Sequence, residues 1–181
     1  MNTDTYVLKY VPIGCRTPSP EEIIARRIAQ DLKIPATEAV RIAAPEMAAL
    51  VDDPCWLVPV PASNGSVIAN LTLARAIAEL VPGARVKCAI GRLHPVESSS
   101  LRRMRGMPGL TVEQHAIIRT VGPILFFPVY FVDNVITTGT TIAACRRALG
   151  WGIGLTYADT SRCPNLPSFG IGFDHRHALA G

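Results

Sequence analysis

Along the chain, short apolar runs alternate with stretches of helical period. YVLKYV near the start predicts a strand. SPEEIIARRIAQDLK opens with a capping box, Ser19 as N-cap, Pro20 at the first helical position and Glu22 at the third. Ile23, Ile24, Ile28 and Leu32 follow at helical spacing. A second helical stretch, from about Thr37 to Leu50, contains Pro45, which predicts an interruption. Beyond Asp52-Asp53-Pro54, CWLVPVP predicts a buried strand, ASNGS a tight loop, and VIANLTLARAIAELV a helix stopped by Pro82-Gly83. ARVKCAI predicts the next strand. From Gly91 to Leu110 no apolar period is present, which predicts a long mobile loop, and loops of that length are usually functional or disordered. An apolar stretch from Ala116 through Phe127 leads to the strand VYFVDN. TTIAACRRALG then predicts a helix ending at Gly150, and GIGLTYAD a last strand.

That succession of strands and helices predicts an α/β fold with an open, mostly parallel sheet flanked by helices. Such sheets bind ligands at the carboxyl ends of their strands, where both PASNGS and DNVITTGTT fall. With 181 residues the chain suits one domain, divided into N-terminal helices as an addition or hood (1–53), a core (54–162) and a tail (163–181).

Composition narrows the function classes. Hydrophobic residues make up 49% and charged residues 18%, which leans towards a homodimer burying an apolar contact. The longest uncharged stretch, Pro54 to Ala74, is broken by PVPASNGS, so a membrane span is not expected. The first ten residues lack the basic start and apolar block of a signal peptide, and the expected location is cytoplasmic. Five scattered cysteines, never spaced C-x-x-C, argue against structural zinc and a disulfide framework. The net charge is +4, arginine outnumbers lysine fifteen to three, and seven basic residues lie between Arg85 and Arg119 against only Glu97 and Glu113. Arginine's rigid fork suits phosphate, so this clustering favours an anionic ligand, small or polymeric.

The chemistry concentrates in FVDNVITTGTT, residues 131–141. An apolar strand ends at Asp133-Asn134, and the chain turns through Thr137, Thr138, Gly139, Thr140 and Thr141 into a helix. Backbone N–H groups at a helix N-terminus are unsatisfied and the dipole there favours an anion. Gly139 permits close approach, and the threonines add hydroxyl donors. Asp133 can accept hydrogen bonds from vicinal ribose hydroxyls. No Gly-Lys-Ser/Thr follows, so this is not a Walker A loop.

The whole stretch resembles the PRPP-binding motif of type I phosphoribosyltransferases. LVPVPASNG…N…LARAIAEL, LRRMRGMPGLT and VYFVDNVITTGTTIAACRRALG together resemble, in the same order, ComF-type phosphoribosyltransferase-like proteins over roughly Trp56 to Arg162. The resemblance implies the type I phosphoribosyltransferase fold, a five-strand parallel core binding 5-phosphoribosyl-1-pyrophosphate (PRPP) with Mg2+ carried on the substrate and no protein metal ligand assigned. It implies that Thr137, Thr138, Gly139, Thr140 and Thr141 hold the 5′-phosphate and that Asp133 and Asn134 face the ribose. Ala62, Ser63, Asn64 and Gly65 would form the pyrophosphate loop. Arg102, Arg103 and Arg105, on a closing loop, would steady the departing pyrophosphate, and with Asp133 and Asn134 they complete the implied catalytic set. The family usually has two adjacent acids where this chain has Asp133-Asn134, and losing one electrostatic stabiliser can cost about 10²–10³ in rate. An aspartate at 134 is accordingly expected to strengthen magnesium-dependent binding. The implied activity is transfer of a phosphoribosyl group between pyrophosphate and a nitrogenous base. The alternatives are a non-catalytic PRPP or nucleotide-binding regulator and a DNA-uptake accessory. The arginine segment lacks aromatic residues for base stacking, which favours a small anion over nucleic acid.

Overall fold

The structure, a computed structural model, describes residues 4–9, 17–35, 38–122, 124 and 127–160, with the backbone alone at Leu8, Lys9, Ser100 and Arg103. Five strands, β1 (Thr5–Lys9), β2 (Trp56–Pro59), β3 (Arg85–Val86), β6 (Val129–Ile136) and β7 (Ile153–Asp159), form one sheet in the order β1-β7-β6-β2-β3. Every pairing in it is parallel. A separate antiparallel hairpin joins β4 (Ile90–Arg92) to β5 (Ile117–Arg119). The helices are α1 (Pro20–Asp31), α2 (Glu38–Ala48), α3 (Ile68–Leu80), α4 (Ser99–Met104) and α5 (Thr140–Leu149). None among the described residues is long and apolar enough to cross a membrane.

The parallel sheet is buried on both faces, which is why its central strands read as continuous apolar runs. Alternation then sorts their side chains. Leu57, Tyr130, Val132, Leu155 and Tyr157 pack with Ala29 and Leu32 of the α1 region, Ala43 and Met47 of α2, and Leu73 and Ile77 of α3. Val58, Val129 and Phe131 face the other way, against Ile142, Cys145 and Leu149 of α5 and Ala89, Ile90 and Ile124. The crossover from β2 through α3 to β3 and that from β6 through α5 to β7 thus leave the sheet in opposite directions and on opposite faces. At such a divergence the carboxyl ends of two neighbouring strands open a crevice. Here those strands are β2 and β6.

Local signals set most boundaries. The capping box forms as expected, with Ser19 N donating to Glu22 Oε2 at 2.8 Å and Glu22 N to Ser19 Oγ at 3.3 Å. Helix α1 nevertheless buries its alanines, Ala25 and Ala29, and exposes Ile23 and Ile24, because small residues let it lie close to its neighbours. Helix α2 runs through Pro45 without ending. ARVKCAI divides instead of forming one strand, since β3 stops at Val86 and Ile90 turns into the hairpin. The segment expected to be one long loop begins inside that hairpin and contains α4, whose Leu101 N–H is received by Ser98 Oγ at 3.3 Å. Strand β6 continues two residues past Asn134, held by pairing of Val135 with Ala158 and Ile136 with Asp159.

Helix α5 is set by a glycine at each end. Gly139 (φ 76) precedes it and Gly150 (φ 98) closes it, the Gly150 N–H returning to the Arg146 carbonyl at 2.7 Å. Gly152 (φ 141) follows, and a Cβ there would stand 2.4 Å from Phe131 Cε2. Gly152→Ala combines left-handed strain with core overlap and should cost about 2 kcal/mol or more. Gly150→Ala, with open space around it, carries strain alone and should cost about 1 kcal/mol. Thermal unfolding of the two variants measures the difference, and equal losses would contradict the packing role of Gly152.

Candidate functional site

The crevice is built from two loops and one carboxylate. Val60 N donates to the Val132 carbonyl at 3.0 Å, so the ends of β2 and β6 lie side by side. The chain from β2 then turns tightly at residues 62–66. Ala62 N reaches Ser66 O at 2.8 Å, Gly65 N reaches Ala62 O at 2.8 Å, and Gly65 sits at φ 88. The chain from β6 turns at 137–139 into α5. As N-cap, Gly139 has no side chain to offer the first-turn N–H groups, and Thr138 Oγ1 only approaches the Thr140 N–H at 3.5 Å. Those amides are the unsatisfied donors an anion seeks.

Asp133 stands between the loops, half-buried. Its Oδ1 accepts from the Asn134 N–H at 2.8 Å and from Asn70 Nδ2 at 3.1 Å, and the same Asn70 amide donates to the Val60 carbonyl at 2.8 Å. Burial raises the carboxyl to about 6, against the lowering effect of those two hydrogen bonds and of the nearby charges of Lys33 and Arg92. Asn70 continues the buried stripe of α3 formed with Leu73, Ala74 and Ile77. A lone amide in an apolar stripe is the sequence signal that could have singled it out.

Asn134 has a different task from the one its position in the motif suggests. Successive strand residues point to opposite faces, and the Asn134 side chain donates to the Ala29 carbonyl of α1 at 2.8 Å. It therefore ties a helix to the strand end, and a carboxylate at that position would set an acceptor against an acceptor.

The arginine segment is linked to the crevice through the backbone. Val96 N donates to Ser63 O at 2.8 Å, which fixes Glu97 beside the 62–65 loop. Glu97 takes Arg105 at 2.6 Å and Arg102 at 3.5 Å, and Arg102 Nε also donates to Pro108 O at 2.8 Å. The side chain of Arg103 lies outside the described residues. Arg92 is half-buried and spends its guanidinium on three carbonyls, Ala62 O at 3.0 Å, Pro61 O at 3.2 Å, and His115 O. His115 in turn places Nε2 3.1 Å from Thr140 Oγ1, so a continuous set of contacts joins the two loops. Neither link is legible in the sequence, because each joins residues at element ends or in loops that lie far apart along the chain.

Of the expected site residues, the structure brings together Asp133, the 137–141 turn and the 62–65 loop, and it directs the Asn134 amide away to α1. Among the described residues no group of three or more His, Cys, Asp or Glu side chains could hold a metal ion. One half-buried carboxylate with hydroxyls nearby suits Mg2+ delivered on a phosphorylated ligand, because that ion keeps most of its own waters and is commonly shared with substrate phosphates. No protein-family model, curated protein or solved structure matched the chain.

The adjacent residues 133 and 134 should respond oppositely to exchange of acid and amide. An unfolded Asp133 titrates near 3.8 and the folded one near 6, so the folded state holds its proton longer and wild-type stability falls as pH rises from about 4 past 6. Asp133→Asn should therefore stabilise the protein by about 1–3 kcal/mol at pH 7.5, with little gain at pH 4. Asn134→Asp should destabilise it by about 1–3 kcal/mol at pH 7.5. Chemical denaturation at both pH values checks the pair, and destabilisation by Asp133→Asn at pH 7.5 would overturn the account of its burial.

Proposed function

We propose that this chain has the type I phosphoribosyltransferase fold and binds PRPP with Mg2+ in the crevice between β2 and β6. The observation that carries the reading is Asp133 standing between the glycine turn of β6 and the tight loop of β2, at the point where the two crossovers part. In this reading the first-turn amides of α5 beyond Thr140, with the Thr137 and Thr138 hydroxyls, take the 5′-phosphate. Asp133 accepts from the ribose hydroxyls, and the 62–65 loop faces the pyrophosphate. Mg2+ would sit on the pyrophosphate, neutralising the leaving group.

The chemistry follows from those positions. Breaking the bond from C1 of ribose to pyrophosphate builds positive charge on the sugar and negative charge on the departing group. An ionised Asp133 favours the first, and arginine forks favour the second. Arg102 and Arg105 can serve with the N–H groups that Glu97 and Pro108 leave free, or by exchanging Glu97 for the ligand. The transfer itself needs positioning and exclusion of water, with no covalent nucleophile. The acceptor would be a nitrogenous base, and the product a nucleotide in the cytoplasm.

One observation favours a second reading. The Asn134 amide is committed to Ala29 O, so a single carboxylate serves the ribose, which suits a PRPP or nucleotide sensor without turnover. Release of pyrophosphate in the presence of a panel of bases separates enzyme from sensor.

Thermal shift and calorimetric titration with PRPP and Mg2+ test the shared premise. Wild type should be stabilised and should bind. Asp133→Asn should lose about tenfold or more in affinity, since hydrogen bonds to a charged group are worth about 1.5–3 kcal/mol, although the same variant is the more stable protein. A site indifferent to PRPP but binding DNA with steep salt dependence would replace the reading with the DNA-uptake one.

A further inference from the structure

The turn before α5 holds a short chain of hydroxyls whose direction is set from outside it. His115 lies at the end of a 3-10 turn (Glu113–His115) and is 3% exposed. Its carbonyl is gripped by Arg92, and its Nε2 lies 3.1 Å from Thr140 Oγ1. Thr140 Oγ1 lies 2.8 Å from Thr138 Oγ1, and Thr138 Oγ1 also faces the Thr140 N–H at 3.5 Å. Thr138 itself is exposed.

A hydroxyl has one proton and two lone pairs, so when each hydroxyl donates to one neighbour and accepts from the other the chain runs head to tail in one of two directions. If Nε2–H donates to Thr140, the Thr140 proton is freed for Thr138 Oγ1, 2.8 Å away. Thr138 Oγ1 then accepts from both the Thr140 hydroxyl and the Thr140 N–H, and its own proton is its one remaining capacity, directed outward. If instead Nε2 is bare, Thr140 donates to His115, Thr138 donates to Thr140, and the turn presents a lone pair, which repels an anion.

The surroundings of the imidazole select the first direction. Nδ1 is buried with no hydrogen-bond partner. A proton on Nδ1 would bury an N–H without an acceptor, whereas the Nε2–H tautomer leaves only a lone pair there. Burial, and then the positive charge of Arg92, disfavour the doubly protonated ring as well.

We propose that His115 is a positioning residue of the anion turn, its Nε2–H orienting the Thr140 and Thr138 hydroxyls so that Thr138 offers its proton to a bound phosphate monoester. This rests on the reading of the turn as phosphate-binding. The role reaches the ligand through Thr140 and Thr138 and requires no contact between His115 and the ligand.

Titration calorimetry with ribose 5-phosphate compares wild type, His115→Gln and His115→Leu, alongside 15N spectra of the wild-type histidines. Glutamine keeps an N–H donor at the Nε2 position and should bind close to wild type. Leucine removes the donor and should weaken binding about tenfold. The 15N spectra should show His115 protonated at Nε2 and bare at Nδ1, a readout that needs no variant to fold. Equal affinity of the leucine variant, or a proton on Nδ1, overturns the positioning role while the phosphate site stands. Wild type failing to bind ribose 5-phosphate overturns the phosphate reading, and the positioning role falls with it.

Discussion

A single side-chain amide holds this crevice together. Asn70 Nδ2 donates to the last carbonyl region of β2 at Val60 and to the Asp133 carboxylate of β6. It thereby joins the first turns of α3 to two strand ends whose crossovers lead away from each other. Without it the acid would keep one backbone hydrogen bond, and the two loops would be joined only through Val60, Arg92 and His115. Buried polar groups are retained where their partners are complete, and here completing Asp133 also fixes the geometry of everything around it.

That arrangement costs stability. An acid driven up to about 6 is ionised at neutral pH against the preference of its surroundings, so folding is weaker there than it would be with a neutral side chain. Nothing in the packing of the sheet requires an acid at this position. A carboxylate whose ionised form is disfavoured at a strand end is a candidate functional group. The same reasoning separates Asp133 from Asn134, whose amide is satisfied by Ala29 O and whose contribution is to hold α1.

The architecture was legible where one element carries its own signal. The sheet strands β1, β2, β6 and β7, the Ser19 capping box and the glycine-bounded helix α5 follow from period, caps and turn residues alone. Misreadings arose where distant partners decide. Pro45 stays within α2. ARVKCAI divides because Ile90 pairs with Arg119, twenty-nine positions on, and no local pattern records a hairpin with so long a connection. At the site, the motif marked Asp133 and the threonine turn, but the residues that set their geometry, Asn70, Arg92 and His115, act through carbonyls and hydroxyls contributed by other elements. Only Asn70 left a trace, as the polar member of an apolar stripe.

The basic segment shows why counting charge is not enough to name a ligand. Seven cations between Arg85 and Arg119 suggest a surface open to any polyanion, yet the structure has already committed several. Arg92 is consumed by three carbonyls, and Arg102 and Arg105 share Glu97. Glu97 takes only one nitrogen of each fork, so a ligand can share those two arginines with it. Phosphate oxygens suit a planar fork of that kind. A DNA phosphate can also meet the fork with two oxygens, so the ion pair with Glu97 alone does not choose between a small anion and a polymer. What the structure adds to the charge count is that these cations already have partners, so the charge available to a ligand is smaller than the sequence total.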